Sequence, residues 1–234
     1  MAQYDGFAMQ YREILNKGGA GGPEPAFRYM EEQLGWLGDL AGKSICDIGC
    51  GQGQLSIRLA GMGANVTGVD LSAEQLAYAA AEDASGQIAW VRDDAMSLSS
   101  IQDESFDFAV SSVMLMDVPD HRSVFSAAWR ILKPGGYLIW VIMHPCFQSP
   151  FSHPLGDGGR HVSEYREQFW KSRGHGTIRS TLGAYHRPLS VYINDFMQAG
   201  FRLLRVDELD RLEPTVDVLP GHFAAVGRKM DDAR

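Results

Sequence analysis

Short apolar runs of strand length alternate along this chain with stretches in which apolar residues recur at helical spacing. Strands are predicted over residues 44–48, 137–143 and 201–207, and helices over 7–15, 24–35, 54–60 and 189–199. The glycine-rich segment 18–23 cannot continue a regular element and separates the first two helices. Strands that alternate with helices predict an α/β fold, in which helices cover a parallel sheet.

The turn after the first strand carries the most specific pattern in the chain. Asp47 is followed by three glycines spaced one residue apart, Gly49, Gly51 and Gly53. A dinucleotide-binding turn reads G-x-G-x-x-G, and here the third glycine comes one residue early. Asp47 would also repel a pyrophosphate at the helix N-terminus, whereas it would attract a ligand that carries an ammonium and a sulfonium. The turn therefore predicts a cationic cofactor and disfavours NAD.

The pattern D-x-G-x-G-x-G resembles the first motif of the class I S-adenosylmethionine-dependent methyltransferases. Further segments resemble later motifs of this family, in the family's order and over most of the chain: residues 65–72, 91–95, 105–116 and 130–138. Several motifs in the right order and spacing are hard to produce by chance. The resemblance implies S-adenosylmethionine as the cofactor.

The resemblance also assigns residues to that cofactor. Asp70, at the end of the second strand, would accept hydrogen bonds from the two ribose hydroxyls. Asp94 would meet the adenine amino group, with Asp93 as the alternative. The remaining cofactor residues expected from the same motifs and from the N-terminal helix are Tyr11, Asp47, Gly49, Cys50, Gly51, Gly53, Leu71, Ala95 and Ser111.

The fold implied by the resemblance is a Rossmann-like, seven-stranded, mostly parallel sheet with helices on both faces. Its last strand, expected over 221–229, is antiparallel. We expect a single domain over residues 1–234, with residues 1–40 as an N-terminal helical cap and 144–188 as a lid inserted after the fifth strand. A connection of that length in a compact domain is usually functional. Because its glycines make it costly to order, we expect the lid and the cap to become ordered when ligand binds.

The insertion differs from the rest of the chain in its chemistry. It holds five of the seven histidines, and six basic residues against three acidic ones, whereas the whole chain has a net charge of −8. A basic lid on an acidic body predicts an acceptor with an anionic group; the alternative is that these charges are merely solvated. The residues expected at the acceptor are Tyr4, Phe147, Tyr165, Trp170, Tyr185 and Arg187. Their alternative role is to pack the lid onto the sheet.

A general base is needed only if the acceptor arrives protonated. His144, directly after the fifth strand, and His186, at the end of the insertion, are the candidate catalytic residues, with loop orientation as the alternative role of each. Tyr4 and Tyr11 would close over the methionine end of the cofactor or over the acceptor, unless they simply pack their helix. The spacing of the histidines fits no metal site, so no metal is expected.

The net charge and the lengths of the apolar runs limit the kinds of partner that the chain can bind. The negative charge disfavours nucleic acid and anionic membranes, and the longest apolar run is far shorter than the ~20 residues that span a bilayer. The N-terminal residues lack a signal-peptide pattern, and the three cysteines, without metal-like spacing, suit a reducing compartment. We therefore expect a cytoplasmic protein. We also expect it to be a monomer or a homodimer.

The leading functional hypothesis is methyl transfer to a small organic molecule. A cofactor-binding subunit without catalysis is the alternative, because the motifs bind cofactor and do not prove transfer. A nicotinamide-dependent oxidoreductase is disfavoured by the glycine spacing, by Asp47 and by the absence of a Tyr-x-x-x-Lys pair from the chain. The sheet motifs do not identify the acceptor or its reacting atom.

Overall fold

The computed structural model describes residues 4–16, 24–148, 150–156, 159–173, 178–209 and 219–230. The helices are α1 (Ala8–Asn16), α2 (Glu24–Leu37), α3 (Gln54–Gly61), α4 (Ala73–Glu82), α5 (His121–Ile131), α6 (Ile178–Thr181) and α7 (Leu189–Gln198). The strands are β1 (Ser44–Ile48), β2 (Asn65–Asp70), β3 (Ala89–Arg92), β4 (Phe106–Ser112), β5 (Leu132–Met143), β6 (Ser152–Pro154), β7 (Arg160–Val162), β8 (Gln168–Trp170), β9 (Ala184–His186), β10 (Phe201–Leu209) and β11 (His222–Lys229). None of the described helices is long and apolar enough to cross a bilayer.

Seven strands form one sheet in the order β10-β11-β5-β4-β1-β2-β3. The strands from β1 to β5 pair in parallel, whereas β11 runs antiparallel to both β5 and β10. This confirms the predicted Rossmann-like sheet with its antiparallel last strand. Two additional two-stranded sheets, β6-β7 and β8-β9, lie outside it.

The parallel register brings the ends of neighbouring strands to one edge of the sheet. Ile48 of β1 lies beside Val69 of β2, and Asp70 lies beside Arg92 of β3. The glycine turn after β1 and the acid at the end of β2 are therefore neighbours in space. In open α/β sheets this carboxyl edge is where ligands bind.

Apolar side chains pack on both faces of the sheet, as the continuous apolar strands predict. Along β5 the contacts alternate with the period of a strand. Trp140 packs against Phe125 of α5 and Phe196 of α7, at ring distances of 5.7 and 5.8 Å, while Val141 faces the cluster that contains Met30 of α2. Helices thus cover both faces, which confirms the predicted layers.

The predicted cap of residues 1–40 divides into two parts. Helix α2 belongs to the core, because Ala26, Met30 and Leu34 are completely buried against the sheet. Helix α1 instead lies over the glycine turn, where Gln52 Nε2 donates to the carbonyl of Ala8 at 2.9 Å. The glycine-rich segment 18–23 lies outside the described residues. Only α1 is therefore placed to cover a ligand at the carboxyl edge.

The insertion over 144–188 has more regular structure than the sequence predicts. It contains the hairpin-like pairs β6-β7 and β8-β9 and the single helical turn α6. Each of these strands has three residues, too few for alternation of apolar and polar residues to be recognised. A backbone bond from Tyr185 to the carbonyl of Met116, 2.8 Å long, attaches β9 to the loop after β4.

Alanine substitutions in the glycine turn after β1 test whether close packing between this turn and the sheet requires glycine. Gly51 and Gly53 both have positive φ, 54° and 79°, but a Cβ at Gly53 would lie 2.4 Å from Trp90 Cη2, whereas a Cβ at Gly51 would meet no atom within 4 Å. We expect Gly51→Ala to lower the free energy of unfolding by about 1–2 kcal/mol, for its left-handed backbone. Gly53→Ala should lose a further ~1–3 kcal/mol, for overpacking against the indole ring. Urea unfolding of the two variants measures the difference, and equal losses would contradict the packing account.

Candidate functional site

A cavity lies at the carboxyl edge of the sheet, between the ends of the parallel strands and helix α1. It is formed by the turn after β1, the ends of β2 and β3, the loop after β4, and α1. Its lining residues are Tyr4, Tyr11, Gly49, Gly51, Asp70, Leu71, Ser72, Gln75, Asp94, Ala95, Met96, Ser112, Val113, Met114, Asp117, Val118 and Pro119. The cavity therefore collects most of the residues predicted for the cofactor.

Asp70 joins the first two βα turns. Its Oδ2 accepts the N–H of Gly51 at 2.9 Å, and its Oδ1 accepts the N–H of Ser72 at 2.8 Å. Burial raises the pKa of Asp70, although these amide donors oppose the shift. The carboxylate is thus fixed at the cavity wall before any ligand binds.

Asp47 lies under the glycine turn and is 1% exposed. Its Oδ2 accepts the hydroxyl of Ser56 at 2.7 Å, while its Oδ1 has no hydrogen-bond partner among the described residues. Burial raises the pKa of Asp47 to about 7, with the hydroxyl of Ser56 opposing and the charge of Asp70 adding to the shift. An acid with one unsatisfied oxygen next to an acidic cavity fits a cationic ligand.

The structure separates the two acids predicted as alternatives for the adenine contact. Asp94 lines the cavity, and its Oδ1 accepts the N–H of Met96 at 2.9 Å. Asp93 turns away, because its Oδ2 accepts both the N–H and the hydroxyl of Ser100, at 2.7 and 2.6 Å. Of the two, Asp94 is the acid that lines the cavity.

Helix α1 and the residues before it place two tyrosines over the cavity. The rings of Tyr4 and Tyr11 meet edge to face, with centroids 5.7 Å apart. The hydroxyl of Tyr4 donates to Asp117 Oδ2 at 2.9 Å. Burial raises the pKa of Tyr11 to about 12, so both hydroxyls are hydrogen-bond donors at neutral pH. Both tyrosines thus line the cavity, and their closure over the cofactor or the acceptor stays a prediction.

The loop after β4 forms a further part of the cavity wall, next to the glycine turn. It begins with Val113, whose φ of 54° is unusual for a β-branched residue and costs roughly 1–2 kcal/mol. The buried guanidinium of Arg187 holds the loop through three carbonyl oxygens, at 3.1, 2.8 and 2.9 Å, those of Leu115, Val118 and Pro119. Arg187 therefore acts on the cavity through the backbone of this loop and does not line it.

Neither candidate catalytic histidine lines the cavity. His144 Nε2 lies 3.1 Å from Glu208 Oε1, and burial lowers the pKa of His144, with Glu208 opposing. His186 is buried, with Nδ1 2.9 Å from the carbonyl of Arg166 and Nε2 3.1 Å from that of Pro145. Both rings are occupied by protein groups, so the alternative role of orienting the loops fits them better.

Several other predicted residues also lie outside the cavity lining. Phe147 packs on His144, Trp170 packs on Phe151, and Tyr165 accepts the N–H of Leu189. Tyr185 packs against the guanidinium of Arg187 at 4.9 Å. Of the predicted cofactor residues, Asp47, Cys50, Gly53 and Ser111 do not line the cavity, and Ser112, which follows Ser111 in β4, does. The aromatic residues of the insertion therefore pack it onto itself and onto the sheet.

Asp117 is the main residue of the cavity that the sequence prediction missed. Its carboxylate binds the hydroxyl of Tyr4 and forms a buried ion pair with Arg179 of α6. The motifs identify an acid within two residues of the end of each of the first three strands, whereas Asp117 comes five residues after the end of β4. Only the fold of that loop brings it to the cavity.

Comparisons with known proteins agree with this site. A family model described as "Methyltransferase domain" matches residues 46–140. The ubiquinone biosynthesis O-methyltransferase of Pseudomonas putida is 32% identical over 190 residues, which cover 74% of this chain and 78% of that protein. The protein of the same name from Cronobacter sakazakii is 36% identical over 127 residues, and this match spans only about half of either chain, 52% of each.

A solved structure supports the same relationship. The S-adenosylmethionine-dependent methyltransferase from Mesorhizobium loti superposes with a TM-score of 0.71 at 27% identity, covering 87% of this chain and 96% of that one. The glycine turn and the acids at the strand ends carry the sequence resemblance, and the sheet has the seven strands and the antiparallel last strand that the resemblance implies. This chain belongs to the class I S-adenosylmethionine-dependent methyltransferases.

Proposed function

We propose that this chain transfers the methyl group of S-adenosylmethionine to a hydroxyl oxygen of a small organic molecule. The choice of oxygen follows the names of its relatives, which are O-methyltransferases. The observation that carries the choice of a small acceptor is the position of α1. Tyr4 and Tyr11 line the cavity, and Tyr4 is bound to Asp117 of the loop after β4, which leaves room for a small molecule and not for a folded polymer.

The residues present fit the cofactor. Asp70 would take the ribose hydroxyls, Asp94 the adenine, and the unsatisfied oxygen of Asp47 would favour the positive charge of the methionine part. When bound, S-adenosylmethionine supplies a methyl carbon made electrophilic by its sulfonium. The chain's part is to hold the acceptor oxygen in line and to exclude water, which are large contributions to such a transfer.

The acceptor end of the cavity is mainly apolar, with Val113, Met114, Val118 and Pro119 on the loop after β4. Such a surface suits an aromatic ring. Because neither histidine reaches it, we propose an acidic acceptor hydroxyl, such as that of a phenol, which loses its proton to solvent before it is enclosed and attacks as the phenolate, with S-adenosylhomocysteine as the leaving group.

An anionic group on the acceptor stays a prediction. Two cations of the insertion contact the cavity wall, since Arg179 binds Asp117 and Arg187 binds carbonyls of the loop after β4. Arg166 instead pairs with Glu164 at the exposed surface.

We also propose that the reaction takes place in the cytoplasm. The support is that the three cysteines form no disulfide, as is usual in a reducing compartment.

Turnover tests the proposed reaction. We expect the purified chain to release S-adenosylhomocysteine when given S-adenosylmethionine with catechol or 3,4-dihydroxybenzoate, two acceptors that share their hydroxyls and differ by one carboxylate. A lower KM for the carboxylated acceptor would support the anionic group, and equal values would contradict it. Binding of the cofactor without turnover of any phenol, alcohol, amine or thiol tried would favour a non-catalytic subunit.

Substitution of Asp70 tests the cofactor site. We expect Asp70→Ala to weaken binding of S-adenosylhomocysteine by about 1.5–3 kcal/mol, the range for hydrogen bonds to a charged group. Calorimetry measures the affinity. Asp93→Ala is the matched control, because Asp93 also follows a strand at this edge but binds Ser100 away from the cavity, so its affinity should be unchanged. Unchanged affinity in a folded Asp70→Ala variant would show that the ribose acid lies elsewhere.

The pH dependence of binding tests Asp47. In the free chain burial raises its pKa to about 7, so at lower pH the acid is mostly protonated and attracts the positively charged ammonium of the ligand less. Affinity for S-adenosylhomocysteine should therefore rise between pH 6 and 8, by up to about tenfold per pH unit below the pKa. Asp47→Asn cannot ionise and serves as the control for titration of the ligand itself. Parallel pH profiles for the two proteins would refute a role for Asp47.

A further inference from the structure

One carboxylate joins three parts of the chain at the cavity. Asp117, in the loop after β4, accepts the hydroxyl of Tyr4 at its Oδ2, at 2.9 Å, and the guanidinium of Arg179 at its Oδ1. Tyr4 precedes helix α1, and Arg179 belongs to α6 of the insertion. The two donors are 113 and 62 residues away from Asp117 in sequence. The two segments that the sequence predicts as a cap and a lid are thus attached to the same side chain.

Burial makes these contacts stronger than surface contacts. The side chains of Arg179 and Asp117 are only 18% and 12% exposed, and removing one partner would leave the other charged and poorly solvated. Arg179 also donates to the carbonyl of Gly183 at 3.1 Å, next to β9. Burial and the charge of Asp117 raise the pKa of Tyr4, so its hydroxyl keeps the proton that it donates.

We propose that Asp117 is a positioning residue that couples α1, whose tyrosine lines the cofactor cavity, to the insertion, so that the two segments move as one unit. With its two oxygens taken by Tyr4 and Arg179, Asp117 fixes both donors relative to the loop that lines the cavity. Loss of Arg179 frees the carboxylate to move, and the contact with Tyr4 weakens with it. This coupling deepens the proposed function. Only the turnover experiment below depends on that function; the exchange and binding experiments do not.

Hydrogen exchange of the full chain, with and without S-adenosylhomocysteine, tests the coupling. We expect Arg179→Gln to raise exchange both in the insertion around residues 178–187 and in α1 at residues 8–13, which lie in a different part of the sequence. Arg166→Gln is the matched control, because Arg166 lies in the same insertion but pairs with Glu164 at the surface, where the two side chains are 71% and 60% exposed. The control should leave α1 unchanged. Unchanged exchange in α1 of Arg179→Gln would overturn the proposal.

A double-mutant cycle gives a second test that does not depend on one variant. We expect Tyr4→Phe to weaken the affinity for S-adenosylhomocysteine about fivefold and Arg179→Gln about tenfold. The double variant should bind no more than about tenfold more weakly than the wild type, because either change already breaks the same coupling. Losses that multiply to about fiftyfold would show independent contacts and refute it.

Rescue and turnover separate positioning from general stability. Arg179→Lys keeps the charge and should restore most of the protection of α1. With a turned-over acceptor, Tyr4→Phe should raise the KM for S-adenosylmethionine more than it lowers kcat, since Tyr4 acts here on closure of the site. A chain that binds S-adenosylhomocysteine but turns over no acceptor would contradict the proposed function alone. Exchange in the free chain would still decide the coupling.

Discussion

The two hydrogen bonds that Asp70 accepts, from Gly51 and Ser72, hold the carboxyl edge of the sheet together. They are possible because parallel pairing of β1 with β2 brings the two turns side by side. The carboxylate requires an amide to point at it from the turn, and that requirement explains the left-handed backbone of Gly51. This turn sets the position of helix α3 and the close approach of the Trp90 indole. It also forms the floor of the cavity.

The same edge concentrates negative charge. Asp47 and Asp70 lie in the last two residues of β1 and β2, Asp94 and Asp117 follow β3 and β4, and the charge of Asp70 adds to the raised pKa of Asp47. Arg179, paired with Asp117, offsets only part of that charge. Such a site is unfavourable for a pyrophosphate and favourable for a sulfonium and an ammonium. Charge, as well as shape, therefore separates this fold's cofactor from the dinucleotides bound by related sheets.

What the sequence could predict was local. The run at 44–48, the glycine spacing and the acids at the strand ends depend on a few neighbouring residues, and the structure places Asp70 and Asp94 at the cavity as predicted. The roles within the insertion depend on which distant surface each side chain meets. Arg187 is an example, because its type suggests an anion site while its three partners are backbone carbonyls far away in sequence. Asp117 was missed for the same reason.

Because Arg187 holds the loop after β4 by its backbone, the side chains of this loop are free to be substituted. The contacts run to the carbonyls of Leu115, Val118 and Pro119, so the path of the loop depends little on the side chains at Met114 and Val118 that face the cavity. Those two side chains can vary while the loop stays in place. A mutational library confined to apolar residues at these two positions should therefore alter which acceptors fit while the backbone of the loop keeps its path.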